Sequence, residues 1–192
     1  MFSAYAIEAS ALEGQIDAMK DRPLPEGIAR EVAFLQKMPG GDLVVLAHVG
    51  DAAGTIPAFG PVALPRVERM FSAMPEGLPG SDIYISALPL LPGMRERFRA
   101  FAAELDGPRN PELILDMMQS AHGETVFLQN GATDYVVPIV IGHRPWEDEH
   151  RAAPNESELN LWINGNLEEM HGIDFADAPP PPNTLLWDRV VG

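Results

Sequence analysis

Short apolar blocks, separated by joints rich in proline and glycine, organise this chain. Met1–Glu8 sets Phe2, Ala4 and Ala6 against Tyr5 and Ile7, the two-residue period of a strand. Ser10 stands as a helix cap before Ala11, with Glu13 at the capping-box position. Leu12, Ile16 and Met19 give that helix an apolar stripe, and Pro23 and Pro25 end it. A hairpin follows: Ile28–Gln36, a turn at Met38-Pro39-Gly40-Gly41, and Leu43–Val49. Residues 50–63 form a connection rich in Gly and Pro. A second helix is expected over Pro65–Met74, with Val67, Met70 and Phe71 facing inward. Pro75, Gly77, Pro79 and Gly80 make a joint.

Beyond the joint the pattern starts again. A strand is expected at Ile83–Leu88, then a helix from about Leu91 to Leu105 with Met94, Phe98, Phe101 and Leu105 in its stripe. Pro111–Ser120 reads as an extra helix. Thr125–Gln129, a turn at Asn130-Gly131-Ala132-Thr133, and Tyr135–Ile141 give a second hairpin, and Pro138 inside it argues for an edge or a bulge. The charged segment Arg144–Glu158 leads to a helix from about Ser157 to Met170. Pro179–Pro182 is a stiff spacer and Leu185–Val191 a last strand.

The two hairpins also share words. Glu31-Val32-Ala33-Phe34-Leu35-Gln36 returns as Glu124-Thr125-Val126-Phe127-Leu128-Gln129, and the segment Asp42–Gly50 returns as Asp134–Gly142. Of these 15 pairs, 8 are identical, where about one is expected by chance at ordinary frequencies. Tyr5 and Gly14 are matched by Tyr84 and Gly93, an offset of 79 against 93 at the hairpins, which places a 14-residue insertion at the extra helix. Each half then reads strand–helix–strand–strand–helix, and the second adds a closing strand. The fold class is α+β: two tandem ferredoxin-like βαββαβ units, residues 1–80 and 81–192, the second with a helical insertion near 108–121. Val44, Val45, Leu46, Val136 and Val137 are apolar on both faces, so the two sheets are expected to pack face to face as an intrachain pseudo-dimer. The first half shows no obvious fourth strand.

On these features the chain resembles the dimeric α/β-barrel superfamily, in which two ferredoxin-like units pack into a barrel. Phe-Leu-Gln before the hairpin and His171-Gly172-Ile173-Asp174 after the last helix look like an uncharacterised bacterial branch of it. The resemblance implies a ligand held between sheet and helices or in the barrel. It admits cofactor-independent monooxygenases, lactone isomerases, haem-degrading and haem-dependent enzymes, and members without activity. Fold alone does not choose among them.

Composition narrows the classes. Apolar residues make up 46% of 192, enough for a core. Net charge is −15, from 28 acidic and 13 basic residues, a field that repels nucleic acid and anionic membranes. The absence of cysteine excludes disulfides, thiolate metal sites and a thiol nucleophile. No signal-peptide pattern opens the chain, and no apolar run approaches the ~20 residues of a membrane helix, so a cytoplasmic location is expected. No Gly-x-Ser-x-Gly elbow, phosphate loop or dinucleotide fingerprint is present. No cofactor is implied by a motif.

Five groups carry candidate chemistry. His171, at the predicted end of the last helix, gains from the helix dipole, which raises its pKa, and Asp174 is near enough to orient it; the pair could supply a base or an axial ligand, or simply a cap. The superfamily resemblance implies, from its haem-degrading members, a helix histidine with an asparagine and an aromatic nearby, which Trp162 and Asn164, with Asn166, could supply as ligand-binding residues. His143, Glu147 and His150 have metal-like spacing, but Pro145 and the surrounding charges favour a solvated loop, and no metal is expected. His48 shares a strand face with Val44 and Leu46, and its counterpart is Val140; that asymmetry points to a ligand pocket in one half. Glu31, Gln36, Glu124 and Gln129, being copied, are expected to serve sheet ends and turns. The functional readings are a binder of a small apolar ligand or cofactor-independent enzyme, a non-catalytic structural or interaction protein, and a haem-binding protein. The pseudo-dimer would be a monomer or would pair as a homodimer.

Overall fold

The computed structural model describes residues 1–53, 58–60, 62–78, 81–119, 121–142, 157–174 and 183–191. Strand β1 (Phe2–Glu8) leads through a 3-10 turn (Ala9–Leu12) into α1 (Ile16–Asp21). Then β2 (Ile28–Gln36) and β3 (Leu43–Gly50) form the first hairpin, β4 (Ala58–Phe59) and β5 (Val62–Ala63) a small one, and β6 (Val67–Ala73) follows. The rest runs β7 (Asp82–Ile85), β8 (Leu88–Pro89), α2 (Arg95–Asp106), α3 (Asn110–Gln119), β9 (His122–Gln129), β10 (Tyr135–Gly142), α4 (Glu158–His171) and β11 (Asn183–Val190). The class is α+β, with antiparallel sheets and four α-helices among the described residues.

The first large sheet has the order β1-β3-β2-β11 and the second β6-β9-β10-β7, with β8 also on β10. β6 therefore lies in the sheet of β7, β9 and β10, and β11 in the sheet of β1, β2 and β3. The stretch Pro65–Met74, expected as a helix, is in fact β6, the fourth strand that the first half had not shown. Its helical appearance has a physical cause. The register of β6 on β9 shifts between Arg69 and Phe71, and the extra residue breaks the two-residue period into a three-and-four one. β11 shifts on β2 between Leu185 and Trp187, opposite Phe34 and Ala33, the residues matched to Phe127 and Val126.

Other boundaries move for local reasons. The first predicted helix splits into the 3-10 turn and α1, because Gly14 takes a left-handed φ of 74° between them. The strand expected over Ile83–Leu88 breaks into β7 and β8. The break lies opposite Pro138, which brings no N–H to the ladder, and β10 is an interior strand rather than an edge. α4 is capped at both ends. The Ser157 side chain accepts from the Asn160 N–H at 3.1 Å, and Gly172, at φ 68°, donates its N–H to Glu168 O at 2.8 Å.

The sheets pack face to face around Ala4, Ala6, Val32, Phe34, Val45, Ala47, Ile85, Ala87, Phe127, Val137, Ile139 and their neighbours. Two copied glutamines fasten this interface. Gln129 accepts from Ala6 N and donates to Ala6 O, both at 2.8 Å. Gln36 does the same to Ala87, at 2.8 and 2.7 Å. These residues tie one sheet to the other, not the sheet ends and turns expected of them. Register also corrects the offset. Tyr5 pairs with Leu46, whereas Tyr84 pairs with Val140, the counterpart of His48, so Tyr84 matches Ser3 at an offset of 81. The extra length before the second hairpin is the difference between 81 and 93, or 12 residues, not 14.

The two outer faces are covered unequally. Helices α2, α3 and α4 bury Phe98, Phe101, Leu105, Leu113, Met117, Leu159 and Met170 on the second sheet. The first sheet has only a thin cover among the described residues: the 3-10 turn, α1 and β4–β5, packed on Tyr5, Ile7, Leu46 and Trp187. No helix among the described residues is long and apolar enough to cross a membrane.

Candidate functional site

His48 is fully buried on the outer face of the first sheet, beneath that thin cover. The hairpin register sets Glu31 of β2 beside it, and its Nε2 lies 2.9 Å from Glu31 Oε2. Arg22, just after α1, donates to the same oxygen at 2.6 Å. Glu31 Oε1 accepts from Trp187 Nε1 at 2.9 Å and from the Arg189 guanidinium. A carboxylate with no exposed surface thus has four donors, from β3, the end of α1 and β11. Burial alone would raise the Glu31 carboxyl. The bond to His48, the charge of Arg22 and the bond from Arg189 outweigh it and hold the carboxyl below its ordinary range.

That ionisation state sets which role the facing imidazole nitrogen plays. An ionised carboxylate only accepts, so His48 Nε2 is the N–H donor, and in the neutral ring Nδ1 carries the lone pair. Nδ1 has no hydrogen-bond partner among the described residues. Tyr5 meets the ring edge-on, with centroids 5.8 Å apart. Burial raises the Tyr5 hydroxyl pKa, partly offset by the nearby Ser3 hydroxyl. Phe59 of β4 stacks on Trp187 at 6.1 Å, and the Arg22 guanidinium lies 4.9 Å from the Phe59 ring centroid. The cluster therefore sets two guanidinium groups and an imidazole around one carboxylate, walled by three aromatic rings.

The other nominated residues lie on the helical side of the second sheet or outside the described residues. His171 ends α4 and is 5% exposed, with Nδ1 2.8 Å from Pro89 O. Its pKa is lowered by burial, with the Pro89 bond a smaller opposing effect, the reverse of the direction expected from the helix terminus. His171 thus ties α4 to β8, next to the Leu91 N–H bond to Met170 O at 2.9 Å. Asp174 is exposed. Trp162 packs between Phe101, 5.1 Å away, and Arg109, 4.4 Å away. Asn164 is half-buried on α4, and Asn166 bonds the Trp162 carbonyl at 2.7 Å and Arg97. His143, Glu147 and His150 lie outside the described residues. Among the described residues no group of three His, Cys, Asp or Glu side chains could hold a metal ion.

Two surface concavities, of about 370 and 450 Å³, run along β6 and α2, lined by Glu68, Arg69, Arg99 and Asp106 and by Arg66, Val67 and Asn130. None of the nominated residues lines them.

Sequence reasoning nominates His48 but not the residues that pack on it, and it reads Glu31 as copied scaffold. The signal was present: a hairpin turning at Met38–Gly41 pairs Gln36 with Leu43, and counting back pairs Glu31 with His48. Arg22, Trp187 and Arg189 come from elements far apart in the chain, and no spacing announces them.

Comparison with protein-family models finds no match, and comparison with curated proteins finds none. Among solved structures, one described as "Crystal structure study of anthrone oxidase-like protein" is similar over 100% of this chain and 92% of that chain, with 13% identity and a TM-score of 0.43. A similarity of that size assigns this chain neither a family nor an activity.

Proposed function

We propose that the protein binds a small organic molecule at the outer face of its first sheet, with His48 as the hydrogen-bonding or basic group and Glu31 as the residue that orients it. The observation that carries this reading is the Glu31–His48 pair: both side chains are fully buried, 2.9 Å apart, with His48 Nδ1 unpartnered among the described residues. A base held by a carboxylate on its far nitrogen is the arrangement that proton-transfer sites need. Burying such a pair costs stability unless it is well bonded, and a scaffold without a ligand gains nothing from an unpaired ring nitrogen. The matched position, Val140, shows that a strand here does not require a polar side chain. The aromatic walls suit a largely apolar ligand, which would enter by displacing Phe59.

This reading goes with two tandem ferredoxin-like halves in a dimeric α/β-barrel arrangement. Its support is the exchange of β6 and β11, the two glutamine clamps and the matched register shifts. Nothing in the Glu31 cluster calls for haem. A Soret band on haemin titration would restore that alternative.

The test compares the wild-type protein with His48→Val in a thermal-shift and NMR screen of apolar carboxylates, alcohols and quinones. Ligands that raise the melting temperature of the wild type and move the His48 ring resonances, and do neither in the variant, support the site. A folded variant that keeps every ligand response refutes it. The second reading is a non-catalytic scaffold. It is favoured by the way the Glu31 cluster joins β2, β3, β11 and the end of α1, and it predicts no ligand response in either protein.

A further inference from the structure

The row that crosses the first sheet at His48 contains a second unsatisfied group. Ser3 stands opposite His48 on β1, Glu31 opposite His48 on β2, and Arg189 opposite Glu31 on β11. Residues paired this way point to the same face, with Cβ atoms about 4.5–5.5 Å apart. Ser3 is 1% exposed, and neither Ser3 Oγ nor His48 Nδ1 has a partner in hydrogen-bond geometry among the described residues, although burial raises the Tyr5 phenol pKa and the Ser3 hydroxyl lies near enough to offset part of that rise. The corresponding row of the second sheet is Tyr84, Val140, Glu124 and Ala73. The serine, the histidine and the arginine are thus all particular to the first sheet.

The two orphaned groups have complementary needs. In the neutral ring, with Nε2–H committed to Glu31, Nδ1 accepts from a donor. Ser3 Oγ–H can donate, and it does not reach Nδ1 in a bonded geometry. One oxygen that both donates and accepts would satisfy both groups. A carbonyl or an ether oxygen could accept from Ser3 but would leave Nδ1 unpaired. An ammonium could donate to Nδ1 but would sit in a cluster that already holds two guanidinium groups against one carboxylate.

We propose that Ser3 Oγ and His48 Nδ1 together grip one hydroxyl oxygen of the ligand, which makes the molecule taken by this site an alcohol or enol. The inference rests on the ligand-binding reading above and specifies its chemistry. The hydroxyl donates its proton to Nδ1 and accepts from Ser3. The excess positive charge of Arg22 and Arg189 favours partial negative charge on that oxygen. Removing the hydroxyl from the ligand strands two buried groups at once, which is the situation in which discrimination is steep.

The experiment uses the intact chain and matched probes, benzyl alcohol and benzyl methyl ether, chosen for the aromatic walls of the site. Binding is read by titration against the ring nitrogens of ¹⁵N-labelled histidine, in wild type, Ser3→Ala and His48→Val. The expected result is a shift of His48 Nδ1 by the alcohol and binding at least 10-fold weaker for the ether, as loss of one buried hydrogen bond implies. Ser3→Ala should lower alcohol and ether affinity alike, about 5- to 10-fold, because both oxygens accept from Ser3, and should leave the alcohol-to-ether ratio unchanged. Equal affinities for alcohol and ether, both lost in His48→Val, would overturn the hydroxyl inference and leave the binding site standing. A bound water bridging Ser3 Oγ and His48 Nδ1 that neither probe displaces would overturn both. Each variant is first checked for native chemical-shift dispersion. If Ser3→Ala fails to fold, the alcohol-to-ether ratio in the wild type decides alone.

Discussion

Replacing Glu31 by glutamine should cost about 3 kcal/mol of stability at neutral pH, and the geometry says why. The carboxylate accepts from Arg22 and His48 on one oxygen and from Trp187 and Arg189 on the other. Glutamine keeps the shape but offers one accepting oxygen. Turned either way, its amide N–H₂ faces a guanidinium that has lost its acceptor. Breaking a buried ion pair by removing one partner costs about 3–5 kcal/mol. Arg22 and Arg189 keep 24% and 15% of their side-chain surface exposed, so water recovers part of the loss and the lower end applies. For a chain of this size that is a fall of about 6–12 °C in Tm.

The pH dependence sharpens this test. Glu31 is held below its ordinary value near 4.5 in the folded chain. Its contribution is therefore fully present above pH ~4.5 and is lost as the pH falls toward the depressed folded value. Glutamine has no such proton to gain. The gap between wild type and Glu31→Gln, measured by urea unfolding, should stand at about 3 kcal/mol at pH 7 and narrow steadily below pH ~4.5. A gap under about 1 kcal/mol at pH 7, the range of an exposed ion pair, or one that does not change with pH, would refute the buried-carboxylate account.

The remaining predictions concern the scaffold. Gln129→Leu and Gln36→Leu each strip a buried alanine of its N–H and C=O partners at once, and each should cost about 2–4 kcal/mol in urea unfolding. The clamps share no partner, so the double variant should add to within about 0.5 kcal/mol. His171→Ala should lose about 1–3 kcal/mol of stability at pH 8, through the bond to Pro89 and the packing it anchors, with no change in the ligand response of His48. Because burial lowers the His171 pKa below its ordinary 6.5, protonation favours the unfolded chain. The wild type should lose stability as the pH falls below 6.5, and its gap to His171→Ala should shrink there; a widening gap would favour the helix-dipole account.

How much was legible follows from the range of each signal. Strand periods, the proline and glycine breaks and the Ser157 and Gly172 caps are local, and they placed the hairpins, α3 and α4 within a few residues. Face-to-face packing was legible because Val44–Leu46 and Val136–Val137 left neither face polar. The failure at Pro65–Met74 came from a one-residue register shift, which imitates helical spacing and is set by the partner strand rather than by β6 itself. The exchange of β6 and β11 was not legible, since nothing local to a final strand says which sheet it joins. Of the candidate cluster, His48 stands out in the sequence against Val140, while Arg22, Trp187 and Arg189 meet Glu31 only through tertiary contacts 9, 156 and 158 residues away.

Among the described residues, the unequal covers go with a polar row in one sheet and not in the other. On the second sheet, three helices press Phe98, Phe101, Leu113 and Met170 against the outer face. Val140 is buried and apolar, and Glu124, opposite it, is half-buried. On the first sheet the cover is short and brings charge of its own. α1 ends at Asp21 with Arg22 turned onto Glu31, and the carbonyls of Lys20 and Arg22 receive Arg189. Donors arrive from the cover and from β11 together, so Glu31 can be ionised while buried, and only an ionised Glu31 dictates which His48 nitrogen is left to accept. The thin cover and the polar row thus depend on each other: a thicker apolar cover would remove the donors, and an apolar row would leave Arg22 and Arg189 without a counter-ion. The copied hairpin supplies the carboxylate, and the departures from the copy (Ser3, His48 and Arg189) set the polar groups around it.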